Sequence, residues 1–184
     1  MKITYEMREG SQKKGLETMC AEIKNILGDD LKIVEIGSYC GSGSIIISSF
    51  FPDSEIYCVD PWTKYVEEGS NYDIEQQEIE LKEAENIFDD RTSTMTNIIK
   101  KKMYSSDYVE EVDDETINFV YIDGNHGYSF VKDDIINWFP KLKNGGILGG
   151  HDYSWTSVRR AIKDTIGEDP YMTFIDGSWF FIKE

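Results

Sequence analysis

The stretch LKIVEIGSYCGSGS, residues Leu31–Ser44, decides the fold. Its first part, Leu31–Gly37, is a short apolar run rich in β-branched residues, which predicts a buried strand. A glycine-rich turn follows, and Ile45–Phe51 then predicts a helix that ends at Pro52. A strand, a glycine turn and a helix in this order are typical of an α/β sheet that binds ligands at the ends of its strands.

Strands and helices alternate along the rest of the chain. Further strands are predicted at Glu55–Asp60, Ile98–Tyr104, Ile117–Asp123 and Ile147–Gly149, and helices at Leu16–Leu27, Ile74–Phe88, Tyr128–Phe139 and Ser157–Ile166. Two apolar runs around Asp176-Gly177 predict a closing hairpin. The pattern indicates an α/β three-layer sandwich with a mostly parallel sheet and an antiparallel edge.

No linker or repeat divides the chain, so we predict one domain over residues 1–184. Residues 1–30 form its N-terminal helical segment, and residues 63–96 form a polar helical insert. Either the first fifteen residues or this insert, which carries Tyr65 and Tyr72, is a candidate lid over a substrate. A plain solvated helical face is the alternative for the insert.

Composition and charge narrow the class of partner. The chain has 184 residues, with 19 Lys and Arg against 35 Asp and Glu, and a net charge of −16. Its apolar fraction of 40% is too high for a disordered acidic chain. Nucleic acids and anionic membranes both select a basic face. We therefore expect a small-molecule substrate and neither a nucleic-acid nor a membrane partner, and a homo-oligomer is compatible with the sequence.

The N-terminus and the cysteines bear on location. Residues 1–15, MKITYEMREGSQKKG, contain no apolar signal-peptide core, and no apolar run is long enough to span a membrane. Cys20, Cys40 and Cys58 match no zinc or disulfide spacing, which favours reduced thiols. We expect a cytoplasmic protein.

The glycine loop has the spacing Gly37-x-x-x-Gly41-x-Gly43. A dinucleotide fingerprint fails because its third glycine would fall on Ile46, and a phosphate-binding loop fails because there is no lysine. Glu35 lies at the strand end, where a carboxylate suits a cationic amino group better than a pyrophosphate. An ordinary tight turn is the alternative.

The second strand ends in Asp60, which Pro61 and Trp62 follow. An acidic side chain at this place accepts hydrogen bonds from both ribose hydroxyls of a nucleoside. The Trp62 ring offers a face to an adenine. Taken singly, Asp60 is as well explained as a turn residue and Trp62 as core packing. Together with Glu35 and the glycine loop, they favour a nucleoside-bearing cofactor.

The only two histidines follow two other strands. Residues 123–128 are DGNHGY and residues 149–153 are GGHDY. If these strands are neighbours, Asp123, His151 and Asp152 form a site for Mg²⁺ or another divalent ion, and His126 serves as a general base. The alternative is that the Asp residues cap turns and the His residues bind loop backbone.

These motifs together resemble the class I S-adenosylmethionine-dependent methyltransferases. The resemblance rests on EIGSYCGSG at 35–43, VDPW at 59–62, IDGNHGY at 122–128 and GGILGGHDY at 145–153. They are most similar to a small O-methyltransferase-like branch with Asp-Gly-x-His-x-Tyr and Gly-His-Asp-Tyr motifs. Over residues 30–184 the resemblance implies a Rossmann-like, seven-stranded sheet whose last strand is antiparallel.

The resemblance assigns the parts of S-adenosylmethionine to different places in the chain. The methionine part would be held by the first carboxylate and the loop, namely Glu35, Gly37, Ser38, Gly41 and Gly43. The ribose would be held by Asp60, the adenine would lie beside Trp62, and Ser105, Ser106 or Asp107 would lie near the adenine amino group.

The resemblance also implies a reaction, the O-methylation of a small-molecule hydroxyl of sugar or secondary-metabolite type. Metal-dependent relatives bind the ion with the Asp of an Asp-x-x-Lys motif, whose Lys assists deprotonation. Asp123 matches that Asp, but His126 stands where the Lys would be, so the base is retained and the divalent ion is left open. The later acidic pair of the relatives corresponds to His151-Asp152.

Two other functions remain compatible with these residues. A nucleotide-dependent oxidoreductase on a related sheet is disfavoured by the missing third glycine. A non-catalytic cofactor-binding protein would keep Glu35 and Asp60 while Asp123 and His126 are inert.

Overall fold

The computed structural model describes residues 5–65 and 74–184. The strands are β1 (Lys32–Ile36), β2 (Glu55–Val59), β3 (Ile98–Lys101), β4 (Ile117–Ile122), β5 (Leu142–Gly150), β6 (Met172–Thr173) and β7 (Trp179–Ile182). The helices are α1 (Gly10–Leu27), α2 (Ser42–Phe50), α3 (Ile74–Thr92), α4 (Ser105–Tyr108), α5 (Tyr128–Trp138) and α6 (Thr156–Thr165), with a short 3₁₀ helix at Val109–Glu111.

The strands form one seven-stranded sheet in the order β3-β2-β1-β4-β5-β7-β6. Strands β1 to β5 are parallel, whereas β7 runs antiparallel to both β5 and β6. The strand order reverses between β1 and β4, which are direct neighbours. Ligands of such sheets bind outside the carboxyl ends of the strands at this reversal. The predicted Rossmann-like α/β sandwich, with its antiparallel C-terminal strand, is confirmed.

Helices cover both faces of the sheet, because its central strands are apolar on both sides. One buried cluster joins the sheet to α1, α2 and α3 through residues such as Leu16, Ile47 and Phe88. The other joins it to α5 and α6 through Ile135, Trp138 and Ala161, among others. The sheet is thus packed between two layers of helices, with one apolar cluster on each of its faces, which gives the three-layer architecture.

Several elements end elsewhere than the sequence pattern predicts. β5 begins at Leu142 rather than Ile147, because the backbone of Gly145 and Gly146 pairs with Lys183 just beyond β7. β3 ends at Lys101 rather than Tyr104, because the chain makes a tight turn after Lys101, in which the Met103 amide donates to the Lys101 carbonyl. Helices α1, α2 and α3 are each longer than predicted.

The two candidate lids are only partly within the described residues. Residues 66–73 of the insert, with Tyr72, lie outside them, as do residues 1–4. Most of the rest of the insert forms α3, whose Ala84 and Phe88 are buried in the core. The N-terminal segment lies against α3, since the Arg91 Nη2 donates to the Tyr5 carbonyl at 2.6 Å. The lid role and the single-domain boundaries stay predictions. Among the described residues, no helix is both long and apolar enough to cross a membrane.

Candidate active site

The glycine loop lies directly on the end of β4. Gly37 has a φ of +87°, and an added Cβ would stand 2.4 Å from the carbonyl oxygen of Asp123. Gly41, with a φ of +80°, precedes the first turn of α2. Only glycine meets both the positive φ and the close approach at Gly37. The predicted cofactor loop and the predicted catalytic strand end are therefore in contact.

Glu35 is buried beneath this loop. Its Oε2 accepts a hydrogen bond from the Ser44 hydroxyl, and a Cβ on Gly43 would stand 2.5 Å from its Oε1. Burial raises the pKa of Glu35 to about 7, against the opposing effect of the hydrogen bond from Ser44. The carboxyl thus fixes the start of α2 while it remains beside the loop that would hold the amino acid part of a cofactor.

Asp60 is placed by two backbone amides. Its Oδ2 accepts from the Tyr39 amide at 2.9 Å and its Oδ1 from the Trp62 amide at 2.7 Å. Burial raises the pKa of Asp60, and these two amides act in the opposite direction. A carboxylate has about four lone-pair sites, so both oxygens can still accept from ribose hydroxyls.

Trp62 and Ser105 are engaged in the fold itself. The Trp62 ring packs against Phe88 at a centroid distance of 5.0 Å, and its Nε1 donates to the Tyr39 carbonyl at 2.7 Å. The Ser105 hydroxyl donates to Asp134 at 2.6 Å and accepts from the Trp138 Nε1 at 2.7 Å. These contacts account for both side chains, and their roles beside an adenine stay predictions.

Both histidine-bearing loops leave the same edge of the sheet, since β4 and β5 are parallel neighbours. His126 Nε2 lies 2.7 Å from Asp152 Oδ2, and His151 Nδ1 lies 3.1 Å from the same oxygen. Asp123 Oδ1 lies 3.7 Å from His151 Nδ1. The structure thus brings the four side chains together at this edge of the sheet, while their roles stay predictions. Asp152 holds a φ of +57°, a backbone conformation that costs energy in residues other than glycine.

Charge and burial act against each other at this cluster. Burial lowers the pKa of His126, but the hydrogen bond and charge of Asp152, together with Asp123, more than offset it and the pKa is raised. The pKa of His151 is raised in the same way, against its burial. Burial alone would raise the pKa of Asp152, but the two imidazoles bring it well below its usual range.

The group of side chains with the spacing of a metal site differs from the predicted trio. Asp123, His126 and Asp152 each offer a ligand atom, and these atoms lie within 4.8 Å of one another. Two carboxylates and an imidazole are suitable donors for a divalent ion. His151, predicted as a ligand, stands beside this trio with its Nδ1 on Asp152 and its Nε2 3.9 Å from Asp176. Ion binding by either set stays a prediction.

A small cavity opens between the two loops. Its walls include Asp123, Asn125, His126, His151, Val158 and Trp179. Within the described part of the chain, neither the buried Asn125 Nδ2 nor the buried His151 Nε2 has a hydrogen-bond partner. Buried polar atoms are rarely left unpaired, so these two favour a polar ligand in the cavity.

Arg8 belongs to the site although no motif pointed to it. Its Nη2 donates to Asp123 Oδ2 in a close ion pair, and its Nη1 lies 3.3 Å from the Tyr121 hydroxyl. Asp123 follows it by 115 positions along the chain. A single arginine before the first helix carries no periodic or spacing signal, so only the fold reveals the contact.

Comparison with models of known protein families identifies the family of this chain. A model described as a methyltransferase domain matches residues 34–153, which include the glycine loop, Asp60 and both histidine-bearing loops. The chain belongs to this methyltransferase family. It is a methyltransferase that uses S-adenosylmethionine, as the resemblance implied. The oxidoreductase alternative has no such support. A search of curated proteins finds no match to the chain.

Solved structures of methyltransferases share the fold. The O-methyltransferase NovP is 17% identical and has a TM-score of 0.66, over 93% of this chain and 79% of NovP. A putative caffeoyl-CoA O-methyltransferase from Staphylococcus aureus is 16% identical, with a TM-score of 0.65 over 92% and 82% of the two chains. Aeropyrum pernix fibrillarin, with natively bound S-adenosyl-L-methionine, is 14% identical, with a TM-score of 0.58 over 90% and 73%.

Proposed function

We propose that this methyltransferase transfers a methyl group to a hydroxyl of a small molecule of sugar or secondary-metabolite type. The observation that carries the proposal is the pair of His126 and Asp152, joined at 2.7 Å beside Asp123, whose backbone packs against Gly37 of the glycine loop. O-methylation needs a base beside the methyl donor, and this is where the chain holds its candidate base.

The methyl donor would lie along the loop from β1 to β2. Ionised Glu35 and the backbone of Gly37, Ser38, Gly41 and Gly43 would hold its amino acid part, and Asp60 its ribose. Trp62 and Ser105 lie at the adenine end of the path that the family resemblance implies. Because Gly37 lies against Asp123, a donor on this loop would point its methyl group toward the histidine cluster.

The histidine cluster would remove the proton of the acceptor. His126 Nε2 faces Asp152, which leaves Nδ1 to accept the hydroxyl proton, and Asp152 stabilises the imidazolium that forms. Methyl transfer is an in-line displacement, so alignment and exclusion of water supply much of the rate. Asp123, at the end of β4, would orient the acceptor hydroxyl.

A divalent ion, if bound by Asp123, Asp152 and His126 or His151, would lower the pKa of the acceptor hydroxyl. A neutral imidazole has one unprotonated nitrogen, and that nitrogen can either bind an ion or accept a proton. His126 is therefore a base through Nδ1 or a ligand through Nε2, and a ligand only after Asp152 has released that atom.

The choice of a small molecule rests on charge. A net charge of −16 is unfavourable for a polyanionic substrate or an anionic membrane. Cys20, Cys40 and Cys58 are buried free thiols, which supports the proposed cytoplasmic location. A homo-oligomer is compatible with all of these features.

The function is tested by binding and by turnover. We expect calorimetry to show S-adenosylmethionine and its demethylated product binding to the purified protein. We also expect methyl transfer to at least one member of a panel of hydroxylated sugars and phenols, followed with a radiolabelled donor. Cofactor binding without transfer to any hydroxyl, but with transfer to amines or thiols in a parallel panel, would contradict the O-methyltransferase assignment.

A further inference from the structure

The contact between Arg8 and Asp123 involves the carboxylate that the proposed ion would need. Arg8 Nη2 donates to Oδ2 of Asp123, and the two side chains are only 14% and 13% exposed. A buried carboxylate and a buried guanidinium are each costly unless they are paired. The chain thus satisfies the charge of Asp123 with a residue of its own.

Arg8 is held in place by several elements. Its amide donates to the Ser42 hydroxyl at the start of α2 at 2.7 Å, and its Nη1 donates to the Tyr121 hydroxyl on β4 at 3.3 Å. Three residues earlier, the Tyr5 carbonyl accepts from Arg91 of α3. We call residues 5–9, which lead into α1, the N-terminal strap. The strap is fixed at Tyr5 and at Arg8, and it delivers the guanidinium between the cofactor loop and β4.

The other carboxylate of the trio has partners as well. Asp152 Oδ2 lies 2.7 Å from His126 Nε2 and 3.1 Å from His151 Nδ1. With Arg8 on Asp123 and the imidazoles on Asp152, both acidic side chains are compensated by positive or donor groups of the chain. A divalent ion bound to Asp123 would place two positive charges beside the positively charged guanidinium of Arg8. Because the pair is buried, solvent would screen this repulsion poorly.

We propose that Arg8 is the resident cation of Asp123, and that Arg8 and a divalent ion compete for that carboxylate because both are positively charged. Arg8 is then a positioning residue, which holds Asp123 for the acceptor when no ion is bound. Because the ion and the guanidinium would share one buried carboxylate, we expect ion binding at Asp123 to displace Arg8 and so to release the N-terminal strap from Ser42. The inference rests on the site of the proposed function.

The first test measures ion affinity directly. Calorimetry with MnCl₂ alone compares the wild type with Arg8→Ala and Arg8→Gln, which removes the charge while keeping a polar side chain. We expect both variants to bind Mn²⁺ at least tenfold more tightly than the wild type. Arg159→Ala is the matched control, because Arg159 binds the carbonyls of Tyr153 and Ser154 near the site without touching Asp123. It should bind Mn²⁺ as the wild type does.

The second test follows the strap. Trypsin cleaves after Arg8, and we expect saturating Mn²⁺ to accelerate this cleavage in the wild type at least fivefold. In Asp123→Asn, which lacks the ion pair, cleavage should be fast with or without Mn²⁺. Equal Mn²⁺ affinity of the wild type and both Arg8 variants, or the absence of binding in all three, would overturn the proposal, as would cleavage that Mn²⁺ does not change.

Failure of the proposed function is recognised separately. S-adenosylmethionine binding is measured on the same preparations, and thermal melts show that each variant is folded. If no cofactor binds but the Arg8 variants gain Mn²⁺ affinity, the competition stands and the O-methyltransferase assignment falls. If the cofactor binds and the wild type and the Arg8 variants have equal affinities for Mn²⁺, only the proposed competition between Arg8 and the ion is rejected.

Discussion

Gly37 and Asp123 are in direct contact: a Cβ on residue 37 would stand 2.4 Å from the Asp123 carbonyl oxygen and 2.5 Å from the Cα of Gly124. The Asp123 amide in turn bonds the Ile36 carbonyl at 2.8 Å. This contact joins the cofactor loop after β1 to the catalytic loop after β4. If the donor lies on the first loop and the acceptor beside the second, as proposed, backbone packing sets the distance between them.

Replacement of Gly37 by alanine tests this contact. We expect Gly37→Ala to lower the free energy of unfolding by about 3 kcal/mol or more, because the added Cβ meets backbone and φ is positive. Gly28→Ala is the matched control, since Gly28 has a φ of +84° with nothing within 4 Å of an added Cβ. It should cost less than Gly37→Ala, about 1–3 kcal/mol, because its φ of +84° and ψ of −154° strain an alanine backbone but no atom obstructs the added Cβ. Chemical denaturation measures both, and equal costs would contradict the packing argument.

Asp60→Asn tests the proposed ribose site. We expect the affinity for S-adenosylmethionine to fall about tenfold or more, because a charge-assisted hydrogen bond contributes about 1.5–3 kcal/mol. Asp53→Asn, at an exposed aspartate just before β2, should leave the affinity unchanged. Calorimetry provides the dissociation constants. An Asp60→Asn protein that is folded and binds as tightly as the wild type would exclude Asp60 as the ribose acceptor.

Glu35 makes stability depend on pH. Burial raises its pKa to about 7 from an ordinary value of 4.5. The folded state thus keeps a proton that the unfolded state loses, so this contribution to stability is complete below about pH 4.5 and disappears as the pH rises through 7. The difference corresponds to about 3 kcal/mol.

As the pH is raised from 5 to 8, we expect the free energy of unfolding of Glu35→Gln to fall less than that of the wild type. Thermal melts of the cofactor-free protein over this range measure the difference. Glu55→Gln, at an exposed glutamate on the next strand, should follow the wild type. Parallel pH curves for Glu35→Gln and the wild type would show that Glu35 does not hold the proton.

The fold was predictable because its signals are local. The apolar runs at β1, β2 and β4, the glycine loop and the Asp176-Gly177 turn each act within a few residues, and all five lie within a residue or two of their predicted positions. The extension of β5 was not predictable, because it depends on pairing with Lys183 at the other end of the chain. Backbone pairing leaves no trace in the residues Lys143–Gly146.

The candidate site was predictable only where it follows strand ends. His126, His151 and the two aspartates meet because β4 and β5 are neighbours. Arg8 was missed, since nothing in its sequence surroundings points to a contact with Asp123. The contacts of Ser105 with Asp134 and Trp138 also required the structure, because they join α4 to α5 across about thirty positions.

Ser105→Ala tests whether Ser105 serves the fold, the cofactor or both. Burial raises the pKa of Asp134 to about 6, while the Ser105 hydroxyl opposes this rise. Without the hydroxyl, Asp134 loses a donor and the Trp138 Nε1 loses its acceptor, so we expect a loss of about 2 kcal/mol in stability. Ser106→Ala, at the exposed neighbour, should cost little. If Ser105→Ala, measured where it is fully folded, binds S-adenosylmethionine more weakly, Ser105 also has a role beside the adenine. An unchanged free energy of unfolding would contradict its role in the fold.

His126→Gln separates the base from the ion ligand. As a base, His126 contributes about 100-fold or more to kcat, and its loss should leave the affinity for S-adenosylmethionine unchanged. His151→Gln is the matched comparison, because His151 shares Asp152 Oδ2 but stands 3.1 Å from it with its Nε2 turned to Asp176. We expect a smaller loss of kcat there, under tenfold. Single-turnover rates with the best acceptor of the panel and Mn²⁺ calorimetry measure the two roles. A loss of Mn²⁺ affinity in His126→Gln that matches the loss of kcat would make His126 a ligand instead of the base.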